Sequence, residues 1–417
     1  MRSLYTLAVK GYGLLIAIAA TWNAKARAWK EGRASQREQA LELPTAGKAF
    51  RIWLHCASAG EFEQGRPIAE ALCAQHERAE LVLTFFSPSG YEMRKDYPLA
   101  IRVLYLPLDT PRQMHAFLEE LNPGIAIFVK YELWHNCLRA LHERGVPAFL
   151  VSARFRATQI YFKSWGGWWA RQLQHFEYIF TQDEKSLALL QKIGINRAAC
   201  AGDTRFDRVA QLAEAGGGIE EIERFKGSSK LLLAGSTWPA DESLIANWWQ
   251  RAAANDSDWK LVIAPHEIDG AHIRSLRARF EKADLWSEIG GGTFEGKVLI
   301  LDTMGLLKHA YFHADIAYVG GGFGAGIHNV PEAVAYGIPA VFGPRYRKFA
   351  EAIDLIELGA AKSVRIAAEF AEAMHRYMHD EALRQKAGQK GKLYIFENKG
   401  ATALIVDKLK GYLQRNQ

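Results

Sequence analysis

"RIWLHCASAGEFEQGRPIAEAL", Arg51 to Leu72, is the passage on which the fold turns. It runs from an apolar stretch, through the small residues Ala57, Ser58, Ala59 and Gly60, into a segment with helical spacing. An apolar run, a tight turn and a helix are the repeating unit of a parallel sheet covered by helices. Working outward, "LVLTFFS", "RVLYLPLD", "IAIFVKY", "AFLVSAR" and "YIFTQD" are further short runs of strand composition, with helical stretches such as "TPRQMHAFLEEL" between them. The polar, glycine-rich "AEAGGGIEEIERFKGSS" interrupts the alternation, which restarts with "KLLLAGS", "KLVIAPH", "VLILDTMG", "IAYVGGGFG" and "PAVFGP". The expectation is an α/β chain of two doubly wound, Rossmann-like domains, with a central cleft bounded by the carboxyl ends of both sets of strands. The boundaries read as an N-terminal helix with a basic collar over 1–35, a first domain over 36–210, a linker over 211–228, a second domain over 229–395 and a C-terminal helix over 396–417.

A chain of 417 residues exceeds the usual single core, which agrees with two domains. The net charge of +6 is gathered near the start, in Arg2, Lys10, Lys25, Arg27, Lys30, Arg33 and Arg37. With no zinc-type spacing, no RNA-binding signature and no basic stripe elsewhere, nucleic acid is not an expected partner. Cys56, Cys73, Cys137 and Cys200 are scattered without a CxxC pair, the pattern of reduced thiols rather than of disulfides or a metal site. In "LYTLAVKGYGLLIAIAATW", Leu4, Leu7, Gly11, Leu14, Leu15 and Ile18 recur at helical spacing, yet Lys10 interrupts and the uncharged run from Gly11 to Asn23 is short for a span. An anchor helix lying in, or tilted through, the cytoplasmic leaflet of a membrane is expected, its basic collar on the cytoplasmic side. A helix packed into the core is the plainer alternative.

Several motifs sit where strands end. Glu61 falls in the first turn of the helix that follows "HCASAGE", where the helix dipole and free amides hold a carboxyl low unless burial opposes them. It reads either as a capping carboxylate or as a proton acceptor for a substrate hydroxyl. His55 reads as a strand-end hydrogen-bonding residue. In "VKYELWHN", Glu132 lies beside Tyr131 and Trp134, a setting that suits sugar recognition or simply an acid packed by core aromatics. "VSARFRATQIYFKSW" groups Ser152, Arg154, Arg156 and Lys163, cations for an anionic acceptor or for a solvated loop.

In the second half, Gly235, Ser236 and Thr237 can cradle an anion at a helix start, and His266 and Glu267 end another strand. Asp302 and Thr303 precede a helix with an open amide end, although simple capping serves each of these equally. "GGGFGAGIHNVPEA", Gly320 to Ala333, is the strongest of these motifs. Its glycines allow close backbone approach, Asn329 can cap the helix that Pro331 begins, and Glu332 can take both hydroxyls of a ribose. It lacks the GxGxxG arrangement with a later acid, so dinucleotide binding is a poor reading.

Taken in order, "HCASAGE", "YELWHN", "SAR", "GDTRFD", "AGSTWPADE", "DTMGLL" and "GGGFGAGIHNVPEA" resemble the 3-deoxy-D-manno-octulosonic acid (Kdo) transferases of lipopolysaccharide biosynthesis over nearly the whole chain. The resemblance implies a GT-B glycosyltransferase that moves Kdo from CMP-Kdo onto the lipid A precursor with inversion, without a cofactor and without a metal in the transfer step. It implies Glu61 as general base, and Ser58, Gly60, Glu132, Arg154 and Lys163 on the acceptor side. For the nucleotide it implies Ser236, Thr237, His266, Asp302, Thr303, Met304, Gly305, Gly321, Gly322, Asn329 and Glu332. It also implies the inner (cytoplasmic) membrane, cytoplasmic face, as the location, with CMP-Kdo, the lipid A precursor and that leaflet as partners. Three positions depart from the family pattern: Pro265 stands for an Arg, Asp203 and Arg205 for Asn and Lys, and His135 for a Pro. Arg205, Arg345 or Arg347 is expected to replace the missing cation. Another GT-B donor, or a non-catalytic membrane-bound sugar-nucleotide-binding protein, is the alternative.

Overall fold

The computed structural model describes residues 1–38, 43, 50–253, 258–290 and 292–414. The chain divides into two compact units, Met1–Asp207 together with Lys399–Gln417, and Arg208–Asn398. Each is built on a seven-stranded sheet, and every strand pairing among the described residues is parallel.

The first unit opens with helices α1 (Arg2–Ala19) and α2 (Ala24–Glu38). Strands β1 (Phe50–Cys56), β2 (Ala79–Phe85), β3 (Ala100–Tyr105), β4 (Ile125–Val129), β5 (Ala148–Ala153), β6 (Tyr178–Thr181) and β7 (Ala198–Cys200) lie in the order β3-β2-β1-β4-β5-β6-β7. Strands β1, β4 and β5 are buried throughout, as expected where helices cover both faces. Helix α3 (Ala59–Gln75) seats Phe62, Ile68 and Leu72 on one face of this sheet. The helix Ala401–Gln414 returns from the far end of the chain and adds Ile405, Val406, Leu409 and Leu413 to the same core. Asp207 fixes that return by accepting from the backbone N–H groups of Gly400 (2.7 Å) and Thr402 (3.0 Å).

In the second unit β8 (Lys230–Thr237), β9 (Trp259–Pro265), β10 (Ala283–Leu285), β11 (Val298–Ile300), β12 (Ile316–Val319), β13 (Ala340–Phe342) and β14 (Ala361–Ser363) are ordered β10-β11-β9-β8-β12-β13-β14. Both sheets are doubly wound: chain order reverses beside β1, which lies between β2 and β4, and beside β8, which lies between β9 and β12. Strands β7 (AAC), β10 (ADL) and β14 (AKS) are absent from the sequence reading because they are short, weakly apolar and only partly buried, whereas the equally short β11 (VLI) and β13 (AVF) are fully buried and were legible. The stretch expected as a linker, 211–228, is largely helical, formed by the end of Thr204–Ala215 and by Glu220–Lys226.

None of the residues of α1 is buried, so the core-helix alternative does not hold. One side of α1 is docked on the first unit. The Tyr5 hydroxyl donates to Asp109 Oδ2 at 2.6 Å, and Asn136 Nδ2 donates to Thr6 Oγ1 at 3.2 Å. His135, which stands where the family pattern has Pro, packs edge-on against Tyr5 with ring centroids 5.3 Å apart. On another side Leu4, Leu7, Leu14 and Leu15 are each more than 60% exposed. Helix α2 is held by buried Arg33, whose guanidinium donates to the carbonyls of Leu106 (2.9 Å) and Phe86 (2.8 Å) and lies over the Trp29 ring. The axes of α1 and α2 differ by 118°, and among the described residues no single helix is long and apolar enough to cross a membrane.

Candidate active site

Parallel pairing of β1 with β4 brings His55 level with Phe128, so the turns that follow both strands open at one edge of the sheet. Glu61 leaves the first turn and Glu132 the second, at the point where strand order reverses, the position at which open α/β sheets bind ligands. The backbone N–H of Ala57 donates to Glu61 Oε2 at 2.5 Å. From the helix dipole alone this carboxyl should titrate low. Instead it is pushed up to about 7, first by burial and then by the Glu132 charge, against hydrogen bonds from the Ala57 and Ser58 backbone and the attraction of Lys130. Two acids sharing a half-buried site outweigh the dipole.

Glu132 is held rigidly. Trp134 Nε1 donates to its Oε2 at 2.7 Å, and His55 Nε2 lies 3.3 Å from the same oxygen. His55 is fully buried, its Nδ1 2.8 Å from Thr84 Oγ1, which also accepts from Trp53 Nε1 at 2.9 Å. The strand-end role read for His55 is thus a link in a polar chain that fixes Glu132. Lys130 is a residue the sequence reading missed. It takes a left-handed backbone (φ 64°) at the end of β4 while its N–H stays bonded to Val151 O. Its signal was a cation two places before Glu132 in "VKYELWHN".

Gly60 is exposed, and a Cβ there would find only Ser58 Oγ, at 4.0 Å. Packing does not demand a glycine at this place, whereas an approaching ligand would. Ser58 precedes α3 without capping it through its side chain. Arg154 reaches Asp183 at 3.4 Å, and Lys163 is exposed.

In the second unit the candidates gather at the ends of β8, β9, β11 and β12. Ser236 has φ 52° at a register shift in β8, and Thr237 Oγ1 donates to buried Glu242 at 3.1 Å, an acid also 3.0 Å from His272 Nε2. His266 stacks between neighbours, 4.7 Å from Trp238 and 4.5 Å from His328 by ring centroids. Trp238 Nε1 donates to His328 Nε2 at 3.0 Å, while burial and then His266 pull the His328 pKa down to about 4, so that ring is neutral at pH 7. Asp241 anchors the glycine turn: it accepts from Gly321 N (2.9 Å), Trp238 N (3.0 Å) and the Tyr318 hydroxyl (2.6 Å). Trp238, Asp241 and His328 lie inside the quoted motifs, but spacing does not reveal that they bond one another.

The glycine turn is tightly packed, and it corrects one expectation, the Asn329 cap. A Cβ on Gly320 would come within 2.3 Å of Ser236 O, one on Gly322 within 2.6 Å of the Gly343 backbone, and Gly321 has φ 88°. The turn's own packing already requires these glycines. Asn329 does not cap its helix (Val330–Val334): its Nδ2 donates to Glu332 Oε1 at 2.8 Å, drawn there by a carboxylate one turn on. Its Oδ1 is buried with no partner among the described residues.

Asp302 accepts from Ser287 N (2.9 Å) and Ser287 Oγ (2.5 Å), and Thr303, Met304 and Gly305 are exposed beside it. The next helix, Leu307–Ala310, starts too late and is too short to offer them the amide end that was expected. Of the cations expected to stand in for Pro265, Arg205 is committed to Asp203 at 2.7 Å and Arg347 is exposed. Arg345 reaches the glycine turn: its N–H donates to Gly322 O at 3.0 Å, and its guanidinium donates to Gly324 O.

A family model described as 3-deoxy-D-manno-octulosonic-acid transferase (kdotransferase) matches residues 22–208. A 3-deoxy-D-manno-octulosonic acid transferase of Bordetella pertussis is 27% identical over 433 residues, covering 99% of each chain. Among solved structures, the UDP-GlcNAc 2-epimerase of Neisseria meningitidis bound to UDP-GlcNAc aligns with TM-score 0.60 at 14% identity, over 87% of this chain and 100% of its own. CalG4, the calicheamicin glycosyltransferase, aligns with TM-score 0.54 at 16% identity, over 88% and 99%. These structures share the fold, two parallel-sheet α/β domains of GT-B type, and the matched sequences support a glycosyltransferase related to the Kdo transferases.

Proposed function

We propose, proceeding from the chain's kinship with the Kdo transferases, that it moves Kdo from CMP-Kdo onto the lipid A precursor with inversion, at the cytoplasmic face of the inner membrane. One observation carries the chemistry: a buried acid pair at the strand-order reversal, with Glu61 raised to about 7. A base of that pKa is ionised for half its population at neutral pH and strong enough to take a proton from a polarised hydroxyl. In the step itself the acceptor oxygen bonds to the anomeric carbon as the bond to the CMP phosphate oxygen breaks. The hydroxyl proton passes to Glu61, and CMP leaves with the electron pair. Glu132, held by Trp134 and His55, orients the acceptor and keeps Glu61 basic.

The amides and hydroxyls of Ser236 and Thr237, together with Arg345 at the glycine turn, are offered to the departing phosphate. The unpartnered Asn329 Oδ1, with Glu332 beside it, is offered to nucleoside donors such as ribose hydroxyls. Exposed Lys163 and ion-paired Arg154 serve the acceptor phosphates, and no metal enters the transfer step. The exposed apolar side of α1 lies in the bilayer interface.

The test is transfer from CMP-Kdo, generated in place, to tetra-acylated precursor with EDTA present, read by mass spectrometry with Glu61→Ala alongside. Product from wild type alone supports the reading and counts the Kdo units. If folded protein and intact donor yield no product, the donor assignment fails. Loss of product on adding EDTA removes metal independence alone.

A further inference from the structure

Beside the docked side of α1 lies a groove of about 730 Å³ between α1, α2 and the start of the helix Pro111–Leu121. Thr6, Lys10, Gly13 and Ala17 form its wall on α1. Lys10, Lys30, Arg33, Arg37 and Arg112 bring five cationic side chains to it, and no Asp or Glu is among the described residues that line it. Arg33 is spent on backbone carbonyls, and Arg37 donates to Gln113 Oε1 at 2.8 Å. Lys10, Lys30 and Arg112 make no side-chain hydrogen bond or ion pair among the described residues.

Position around α1 says what the groove can meet. At about 100° per residue, the side docked through Tyr5 and Tyr12, the groove wall, and the exposed stripe Leu4–Leu7–Leu14–Leu15–Ile18 point in three directions about 120° apart. A helix whose apolar stripe rests among acyl chains therefore holds this groove at the depth of the headgroups. We infer that the groove binds the phosphate headgroup of an anionic bilayer lipid, whose chains continue along the stripe. The inference rests on the membrane reading above and adds a defined site to it. Like-charged side chains converge on one groove without acids between them, which is unfavourable until an anion sits there, and the neighbouring apolar surface selects an anion that carries hydrocarbon.

The experiment floats the full chain with vesicles of phosphatidylcholine alone and of phosphatidylcholine with phosphatidylglycerol, at one ionic strength. Lys10→Ala/Lys30→Ala is compared with Arg2→Ala/Lys25→Ala, which removes equal charge outside the groove. Ala17→Gln fills the groove at constant charge, and thermal melts confirm that each variant folds. The site predicts that the groove pair loses about tenfold more affinity for anionic vesicles than its control. It also predicts that Ala17→Gln loses the preference for phosphatidylglycerol while binding to phosphatidylcholine is unchanged. Equal losses from the two charge pairs, or an indifferent Ala17→Gln, overturn it in favour of diffuse attraction. Displacement by millimolar inorganic phosphate overturns it in favour of a free-anion site. A raised KM for the acceptor in phospholipid-free detergent overturns it in favour of the acceptor's own phosphate. Wild type that binds neither vesicle sinks the membrane reading itself, while transfer assayed in detergent is untouched.

Discussion

Two turns, one after β1 and one after β12, each flank the point in their own sheet where strand order reverses. They are built on opposite terms. The glycine turn after β12 is closed upon itself: Gly320 and Gly322 leave no room for a Cβ, and Asp241 takes three hydrogen bonds to hold the turn in place. The turn after β1 is open at Gly60 and carries strain of another kind, a carboxyl kept from its ordinary ionisation by burial and by a second acid. One is a turn set by backbone packing. The other is an electrostatic device whose energy is stored against ionisation.

That contrast is broken first at Glu61. Glu61→Gln should cut kcat by about 10² to 10⁴, the usual worth of a general base. The same change should stabilise the fold at pH 8. Folded Glu61 binds its proton more tightly than the unfolded group near 4.5, so its contribution to stability is full below about 4.5 and is lost as pH rises through about 7. A gain of about 2–3 kcal/mol at pH 8, absent at pH 4, is expected from denaturant titrations. Loss of stability instead would make Glu61 a plain capping acid.

The closed turn should respond the other way. Gly322→Ala forces a methyl against the Gly343 backbone and should cost about 2–4 kcal/mol with a matching loss of CMP affinity in calorimetry. Gly60→Ala should leave stability within about 0.5 kcal/mol and raise the acceptor KM. Equal destabilisation by both would erase the distinction between the turns. Asn329→Ala should weaken CMP binding about tenfold and cost only about 1 kcal/mol of stability, because one hydrogen bond to Glu332 is lost while the buried oxygen has no partner to lose. Smallest is the effect of Glu132→Gln on pH dependence. The rate should rise with pH through about 7 in wild type, because only ionised Glu61 accepts a proton. Removing the second charge should move that rise to lower pH by about one unit.

The same contrast explains what could be read from the sequence. The alternation of apolar runs and helical spacing was enough for two parallel sheets, since a five- to eight-residue buried strand announces itself. The partly buried β7 (AAC), β10 (ADL) and β14 (AKS) did not, whereas the equally short but fully buried β11 (VLI) and β13 (AVF) did. Glu61 and Glu132 were legible as strand-end acids, but their mutual repulsion depends on the pairing of β1 with β4, a contact between residues more than seventy apart. Gly320 and Gly322 were legible as glycines, but their packing requirement was not, because the atoms that exclude a Cβ belong to Ser236 and Gly343. Lys130 was passed over because its left-handed backbone leaves no mark on composition.

The return of the helix Ala401–Gln414 to the core beneath α3 has a consequence in time. A ribosome adds about 5–20 residues each second, so several tens of seconds at the slower rate separate the emergence of α3 from that of its last packing partner. Throughout that interval Phe62, Ile68 and Leu72 lack the cover of Ile405 and Leu409, and the helix bearing Glu61 cannot settle. Glu61 therefore reaches its half-buried surroundings only after the helix Ala401–Gln414 has been made. A nascent chain that stops before that helix leaves this face of the α3 core uncovered.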